Sequence, residues 1–273
     1  MFALPHSSTP PILHSSPAGD ILKGMFVPLV VILSAQSHPS VLPRTHSHND
    51  YAQTRPLAEA LDNGFSSVEA DVFLVDGKLL VGHNRKELTP ERNLEAMYLK
   101  PLSDRMTRQK GSIYPNSNRT FWLLIDVKAD GPNVYGALKV SLARFPSLKQ
   151  PNIRLVISGE RPAEDILRDK GLFAALDGRW ADLDKGYSRD LMPWVSEDWS
   201  AHFKWQGVGP MPEEESVMIR SMVKTVHDQK RLLRFWGAPD TKEIWYAQWS
   251  AGVDLINTDH LAQLRAWMLS QAK

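Results

Sequence analysis

From Val41 onward the chain alternates short apolar runs with longer stretches whose apolar residues recur every three or four positions. The first kind reads as strand and the second as amphipathic helix. Strands are expected at Leu42–His46, Ser67–Leu74, Lys78–Gly82, Phe121–Val127, Ile153–Ser158, Leu232–Trp236 and Leu255–Thr258, with weaker candidates at Phe173–Leu176 and Ala201–Lys204. Helices are expected at Pro56–Asn63, Val134–Ala143, Ala163–Asp169, Glu213–Gln229, Thr241–Ala251 and Leu261–Gln271. Gly64 stops the first helix, and Asp76-Gly77 is a hairpin signal that turns the second strand back on itself. Phe121–Val127 (FWLLIDV) is apolar on both faces, as in a parallel strand covered on both sides. Gly111–Asn118 reads as a polar loop.

Strands separated by helices favour a parallel sheet with right-handed crossovers, and about eight of them close most simply into an α/β TIM (β/α)8 barrel. Such a barrel takes ~250 residues, so residues 41–273 suffice for one domain. The alternative, an open doubly wound sheet, requires a glycine-rich loop after the first strand. Here that strand ends in Thr45-His46-Ser47-His48-Asn49-Asp50.

Residues 1–40 have a different character. Residues 1–24 are rich in Ser, Pro and His and read as a disordered extension. Met25–Ala35 (MFVPLVVILSA) follows Lys23 and precedes small residues, which matches a signal-peptide core better than a membrane span of ~20 apolar residues. A secreted or periplasmic destination is expected. With no cysteine, disulfides, thiolate metal sites and cysteine nucleophiles are excluded. A net charge of +1 without Lys/Arg runs leaves no footprint for nucleic acid and at most transient contact with a membrane surface.

The polar residues that break the apolar runs fall at strand ends, the rim where a parallel barrel carries its chemistry. His46 and His48 end the first strand. Glu69 and Asp71, two apart on the second, point to one face. Two carboxylates so close repel unless a cation lies between them, and a divalent metal with oxygen ligands is the economical solution. His83-Asn84 follows the returning hairpin strand. Asp126 ends a run of apolar residues, so its burial requires a partner; it is read as a third metal ligand. Lys128, on the same side, either offsets substrate charge or pairs with Asp126. Late in the chain come Arg234-Phe235-Trp236, Gly252-Val253-Asp254 and Asn257-Thr258-Asp259, with Trp236 read as either a pocket wall or core.

Taken in order, His48-Asn49, Glu69-Ala70-Asp71, Asp76-Gly77…His83-Asn84, Asp126-Val127-Lys128, Trp236 and Gly252-Val253-Asp254…Thr258-Asp259 resemble the glycerophosphodiester phosphodiesterase family, within the phospholipase-C-like phosphodiesterases. His48-Asn49-Asp50-Tyr51, Ser67–Val72 and Leu80–His83 most resemble the branch of altered inheritance of mitochondria protein 6. The resemblance implies a barrel enzyme that cleaves a small-molecule or lipid phosphodiester, by hydrolysis or through a cyclic phosphate. It implies Mg²⁺ or Ca²⁺ at Glu69, Asp71 and Asp126. His48 and His83 become base and acid, with His83 the expected acid, Lys128 an electrostatic aid, and Asn49 and Trp236 pocket residues. The chain departs from the family in having His48-Asn49-Asp50 where His-Arg-Gly is usual, and in lacking the Pro-Glu-Asn-Thr segment.

Three rival readings differ in class. His46-x-His48 also opens an amidohydrolase zinc site, but later histidine ligands are missing, with only His202 and Asp259 nearby. A non-catalytic binding barrel would have lost one of these groups. A glycosidase would need its carboxylates across a sugar bond rather than side by side on one strand.

Overall fold

Alternation along each strand decides which residues line the inside of the sheet and which meet the helices. The computed structural model describes residues 40–271 except Lys170 and Leu172; Met25–Ala35, expected from the sequence to be a signal-peptide core, lies outside the described residues. Its strands are β1 Leu42–Ser47, β2 Phe65–Val75, β3 Lys78–Val81, β4 Phe121–Val127, β5 Ile153–Gly159, β6 Ala175–Gly178, β7 Trp194–Asp198, β8 Leu232–Trp236 and β9 Ile256–Thr258. Eight of them run parallel in the order β8-β7-β6-β5-β4-β2-β1-β9, while β3 folds back antiparallel on β2. A bridge between Arg234 and Leu255 joins the two ends, so the sheet is a nearly closed barrel. The helices are α1 Ala58–Asp62, α2 Lys100–Arg108, α3 Gly131–Ala143, α4 Ala163–Arg168, α5 Trp199–His202, α6 Glu213–Asp228, α7 Lys242–Ala251 and α8 Leu261–Gln271. Among the described residues no helix is long and apolar enough to cross a membrane.

Outward-facing Val68, Ala70 and Val72 of β2 and Phe121, Leu123, Ile125 and Val127 of β4 pack into one apolar layer under α2 and α3. A second layer, around Val195, Leu233 and Phe235, packs against α5, α6 and α7 through Trp199, Val223 and Ile244. Inside the barrel, Leu124, Val156, Ala175, Trp194 and Leu255 form an apolar plug, flanked by Trp122 and Leu232.

Two elements differ from the sequence expectation. Ala201–Lys204, expected as a strand, instead spans the end of the one-turn helix α5, whose Ser200 amide is capped by Asp198 Oδ1 at 2.9 Å. The strand is β7 just before it. Its last three residues, Ser196, Glu197 and Asp198, are polar because they form the rim, and that masks the strand period. Helix α2 is not among the helices expected from the apolar spacing. Pro101 looks like a breaker, but it sits in the first turn of α2, where its missing N–H costs nothing, and a π turn at Glu95–Leu99 leads into it.

The loop from β1 to α1 is anchored by Asp50, which is fully buried. Its carboxylate accepts from Ser47 Oγ (2.8 Å), the Leu57 amide (2.6 Å) and Tyr98 Oη (2.9 Å). Burial pushes its pKa up to about 6 despite these bonds. Replacing Asp50 by Ala leaves three buried donors without their acceptor. We expect Asp50→Ala to lower unfolding stability by about 3 kcal/mol, measured by urea denaturation, since each buried unmade bond costs ~1–3 kcal/mol and partial hydration of the void offsets some of the sum. A loss below about 0.5 kcal/mol would show that the anchor contributes little.

Candidate active site

The site begins with an irregularity in β1. The register against β2 shifts between Leu42 and His46, and Arg44 at the shift has φ 65°. Such a bulge re-aims the residues that follow. It is held by Arg44 itself, whose guanidinium donates to Val253 O (2.6 Å) and Trp249 O (2.8 Å) and lies over the Trp249 ring. After the shift, His46 faces the polar layer of the barrel. His48, just past the strand end, stands at the rim, its amide bonded to Thr258 O at 3.1 Å.

Each inward-facing strand end supplies a polar side chain to one layer above the plug. His46 Nε2 lies 2.9 Å from Glu69 Oε2, and His46 Nδ1 lies 2.7 Å from Ser67 Oγ. Burial, helped by the Arg234 charge, lowers the His46 pKa to about 4. The ring is therefore neutral, with Nε2–H donating to the carboxylate and Nδ1 accepting from the serine. Both nitrogens are used, which removes His46 from any amidohydrolase-type metal site. His202, the other histidine of that reading, is bonded to Glu197 Oε2 at 3.1 Å.

Glu69 also accepts from Arg234 NH2 at 2.5 Å. Burial alone would raise the Glu69 pKa, but the Arg234 guanidinium and the His46 bond hold it well below the ordinary range. Arg234 is itself buried and donates through Nε to Asn257 Oδ1 at 3.0 Å. Sequence reasoning names Arg234 without giving it this role; the available signal is a lone charge inside an otherwise apolar strand.

Asp71 behaves differently. Its Oδ2 receives Tyr51 Oη (2.8 Å), His83 Nδ1 (3.0 Å) and Lys128 Nζ (2.8 Å). Its Oδ1 is buried with no partner among the described residues. Burial and the charge of Glu69 raise its pKa, against the pull of Lys128. Lys128 also bonds Asp126 Oδ2 at 2.5 Å, so it bridges two carboxylates. Asp126 is further crowded by β5: a Cβ at Gly159, where φ is +68°, would lie 2.4 Å from Asp126 Oδ1 and 2.3 Å from Val127 O. Glycine is required at that position for both reasons.

Glu69, Asp71 and Asp126 each offer one oxygen within 4.8 Å of the others. Three converging carboxylates, one with an orphaned buried oxygen, fit a divalent cation. His48 and His83 flank them. His48 Nδ1 bonds Asp259 Oδ1 at 2.9 Å. Burial works against the protonated His48 ring, but its bond to Asp259 and the charges of Glu69 and Asp259 outweigh this and raise the pKa. Asn49, at φ 44°, has its Oδ1 2.7 Å from Tyr51 Oη. Trp236 ends β8 and is 42% exposed, on the rim rather than in the core.

On the far side of the layer lies a group that the sequence does not single out. Ser158 of β5 stands opposite Asp126 in register and donates to Asp177 Oδ2 at 2.7 Å. Asp177 pairs with Arg179 at 2.7 Å. Ser196 of β7 stands opposite Arg234 in register, its Oγ buried with no partner among the described residues. One polar residue per strand is a pattern visible only once the strands are in register.

Comparison with known proteins gives a consistent result. The model of the AIM6-like phosphodiesterase domain matches residues 36–150, and that of the glycerophosphoryl diester phosphodiesterase family matches residues 233–262. The chain is 28% identical to the altered inheritance of mitochondria protein 6 homolog of Arthroderma benhamiae, over 78% of this chain and 80% of that protein. It is 29% identical to altered inheritance of mitochondria protein 6 of Saccharomyces cerevisiae, over 79% and 68%. Its fold is similar to that of a glycerophosphodiester phosphodiesterase from Parabacteroides distasonis, with a TM-score of 0.54 at 15% identity over 86% of this chain and 100% of the other. A glycerophosphodiester phosphodiesterase from Agrobacterium tumefaciens gives a TM-score of 0.50 at 13% identity over 83% and 99%. These matches support the glycerophosphodiester-phosphodiesterase-like superfamily, and within it the branch of altered inheritance of mitochondria protein 6, as the group this chain is similar to.

Proposed function

We propose that this chain is a divalent-metal-dependent phosphodiesterase acting on a small-molecule or lipid phosphodiester. The observation that carries the reading is the convergence of Glu69, Asp71 and Asp126 within 4.8 Å, with two carboxylate-oriented histidines beside it. An all-oxygen donor set suits Mg²⁺ or Ca²⁺ rather than a metal that prefers nitrogen or sulfur. When bound, such an ion supplies Lewis-acid stabilisation of charge on a non-bridging phosphate oxygen.

The protein's own groups do the rest. Lys128 uses its ammonium to hold Asp71 and Asp126 together through their Oδ2 atoms. Each catalytic imidazole gives its Nδ1–H to a carboxylate, His48 to Asp259 and His83 to Asp71. That bond fixes the ring and leaves Nε2 for proton transfer. One Nε2 takes the proton of the attacking hydroxyl, and the other gives a proton to the departing alkoxide. Where the substrate carries a hydroxyl beside the phosphate, that hydroxyl attacks first and a cyclic phosphate forms; otherwise water attacks. Phosphorus NMR of the products distinguishes the two.

Metal removal is the first test. Chelation should lower turnover at least ~10²-fold, equivalent to loss of several kcal/mol of transition-state stabilisation, and Mg²⁺ or Ca²⁺ should restore it. Calorimetry should show weaker metal binding in Glu69→Ala, Asp71→Ala and Asp126→Ala. Full turnover in excess chelator would overturn the metal reading.

The raised His48 pKa gives a second test. A ring whose folded pKa lies above its free value stabilises the fold most at low pH. That contribution is complete below the free value of 6.5 and is lost as pH rises through the folded pKa. NMR titration of the metal-free protein should place the His48 midpoint above 6.5, and Asp259→Asn should bring it down. An unchanged midpoint in that variant would show that Asp259 does not hold the ring.

The division of labour between the histidines is the third. A nitrophenolate leaves without help, whereas an alkoxide must be protonated. Removing the acid should therefore harm an alkyl diester far more than a nitrophenyl diester, and removing the base should harm both by ~10²–10⁴-fold. We expect His83→Ala to be the variant rescued by the nitrophenyl substrate. Equal losses for His48→Ala and His83→Ala on both substrates would falsify the base–acid pairing.

A further inference from the structure

Cations are needed where a phosphodiester anion approaches three carboxylates. Among the described residues, Lys128, Arg234, Arg161 and Arg179 lie at the strand ends and the loops just after them, and each is paired with a carboxylate. Lys128 bridges Asp71 and Asp126. Arg234 is buried against Glu69 and Asn257. Arg161 bonds Asp177 O and Asp182 Oδ2.

Arg179, just past β6, is the most exposed of the four: the side chains of Lys128, Arg161 and Arg234 are only 21%, 17% and 4% exposed. Its NH1 is anchored on Asp177 Oδ2 at 2.7 Å and Gly178 O at 3.2 Å, and its NH2 reaches Ser158 Oγ at 3.2 Å. Ser158 in turn donates to Asp177 Oδ2 at 2.7 Å, so the guanidinium plane is fixed by a triangle of bonds. Asp177 is fully buried, and about a third of the Arg179 side chain is exposed, 31%. Among the described residues Nε has no acceptor, and NH2 has one N–H to spare. Nε–H and NH2–H form the edge of the fork that meets two oxygens of one phosphate side by side.

The position is right as well. Ser158 of β5 is the register partner of Asp126, and Arg179, just past the next strand β6, reaches Ser158, so only β5 separates it from the strand of Asp126. Burial opposes the charge of Arg179, but Asp177 first, then Asp126 and Glu197, more than restore it. The anchor also explains why a buried aspartate is kept beneath the rim with no part in the triad.

We propose that Arg179 is the phosphate-binding residue of this site, a guanidinium held in place by Asp177 and Ser158 that grips two oxygens of the substrate. The inference rests on the phosphodiesterase reading and names the residue that would recognise the anion.

The test uses the full chain with saturating Mg²⁺ and inorganic phosphate as the probe. Arg179→Met should weaken phosphate binding, measured by calorimetry, by ~10-fold or more, as expected for lost hydrogen bonds to a charged group. KM for a diester should rise by a similar factor, and Mg²⁺ affinity should stay within about twofold. Arg179→Lys should recover only part of the loss, because an ammonium lacks the fork. Removing Arg179 leaves Asp177 buried without its cation, which threatens folding. The double variant Arg179→Met with Asp177→Asn removes both charges and should bind phosphate as weakly as the single one. Wild-type phosphate affinity in either Met variant, or full recovery in Arg179→Lys, would overturn the proposal. Diester turnover with phosphate binding independent of Arg179 sinks this inference and spares the reaction. Arg179-dependent phosphate binding without turnover of any diester does the reverse.

Discussion

A carboxylate inside a barrel must find a cation, and the Glu69–Arg234 pair, 2.5 Å apart, meets that demand across the barrel interior. Glu69 comes from β2 and Arg234 from β8, strands that are not neighbours in the sheet. The contact spans the seam where β8 meets β9 through one isolated bridge. Arg234 adds a bond to Asn257 of β9, so one side chain ties three strands where the backbone ladder is thinnest. Burying such a pair is not itself a large source of stability, because desolvation consumes most of the attraction. Its value lies in specification. Losing either member would leave a bare charge at the centre of the barrel, so the register that brings them together is strongly preferred over its neighbours.

The same pair explains why two acids on one strand have opposite tendencies. Glu69 is held ionised by Arg234 and His46. Asp71, two residues on, is pushed towards protonation by burial and by the charge of Glu69. Lys128 relieves only one of its oxygens, and Oδ1 stays buried and unpaired among the described residues. A site that concentrates negative charge beyond what its own cations neutralise is one prepared for a further cation. The cluster is therefore polarised within a few ångströms, with a settled end at Glu69 and an unsettled end at Asp71.

Much of this is legible in the sequence because the barrel separates its signals by strand period. β4 is read directly from FWLLIDV, and β2 with its hairpin from the alternation around Glu69 and Asp71 and from Asp76-Gly77. The same period puts both acids on one face of β2. β7 is hidden because its rim residues, Ser196, Glu197 and Asp198, replace the apolar alternation that would announce a strand. The helix at Lys100–Arg108 is hidden by a proline that is harmless in a first turn. Partnerships across the barrel, such as Arg234 with Glu69 or Arg179 with Asp177, depend on how separate strands and loops align in the closed sheet. No local period encodes them.

Precision at the site also carries a conformational cost. Asn49 and Leu57, neither of them glycine, have φ of 44° and 59° and frame the loop that begins at His48. Strain of this kind costs ~1–3 kcal/mol per residue and persists only when the surroundings over-determine it. Asp50 provides that determination by binding Ser47, Leu57 and Tyr98 at once, from one buried carboxylate. Tyr51, the next residue, then reaches Asp71. A relaxed loop would free His48 and withdraw the hydroxyl that steadies Asp71. The strain is thus the consequence of seating a histidine and a tyrosine, three residues apart, beside the same carboxylate cluster.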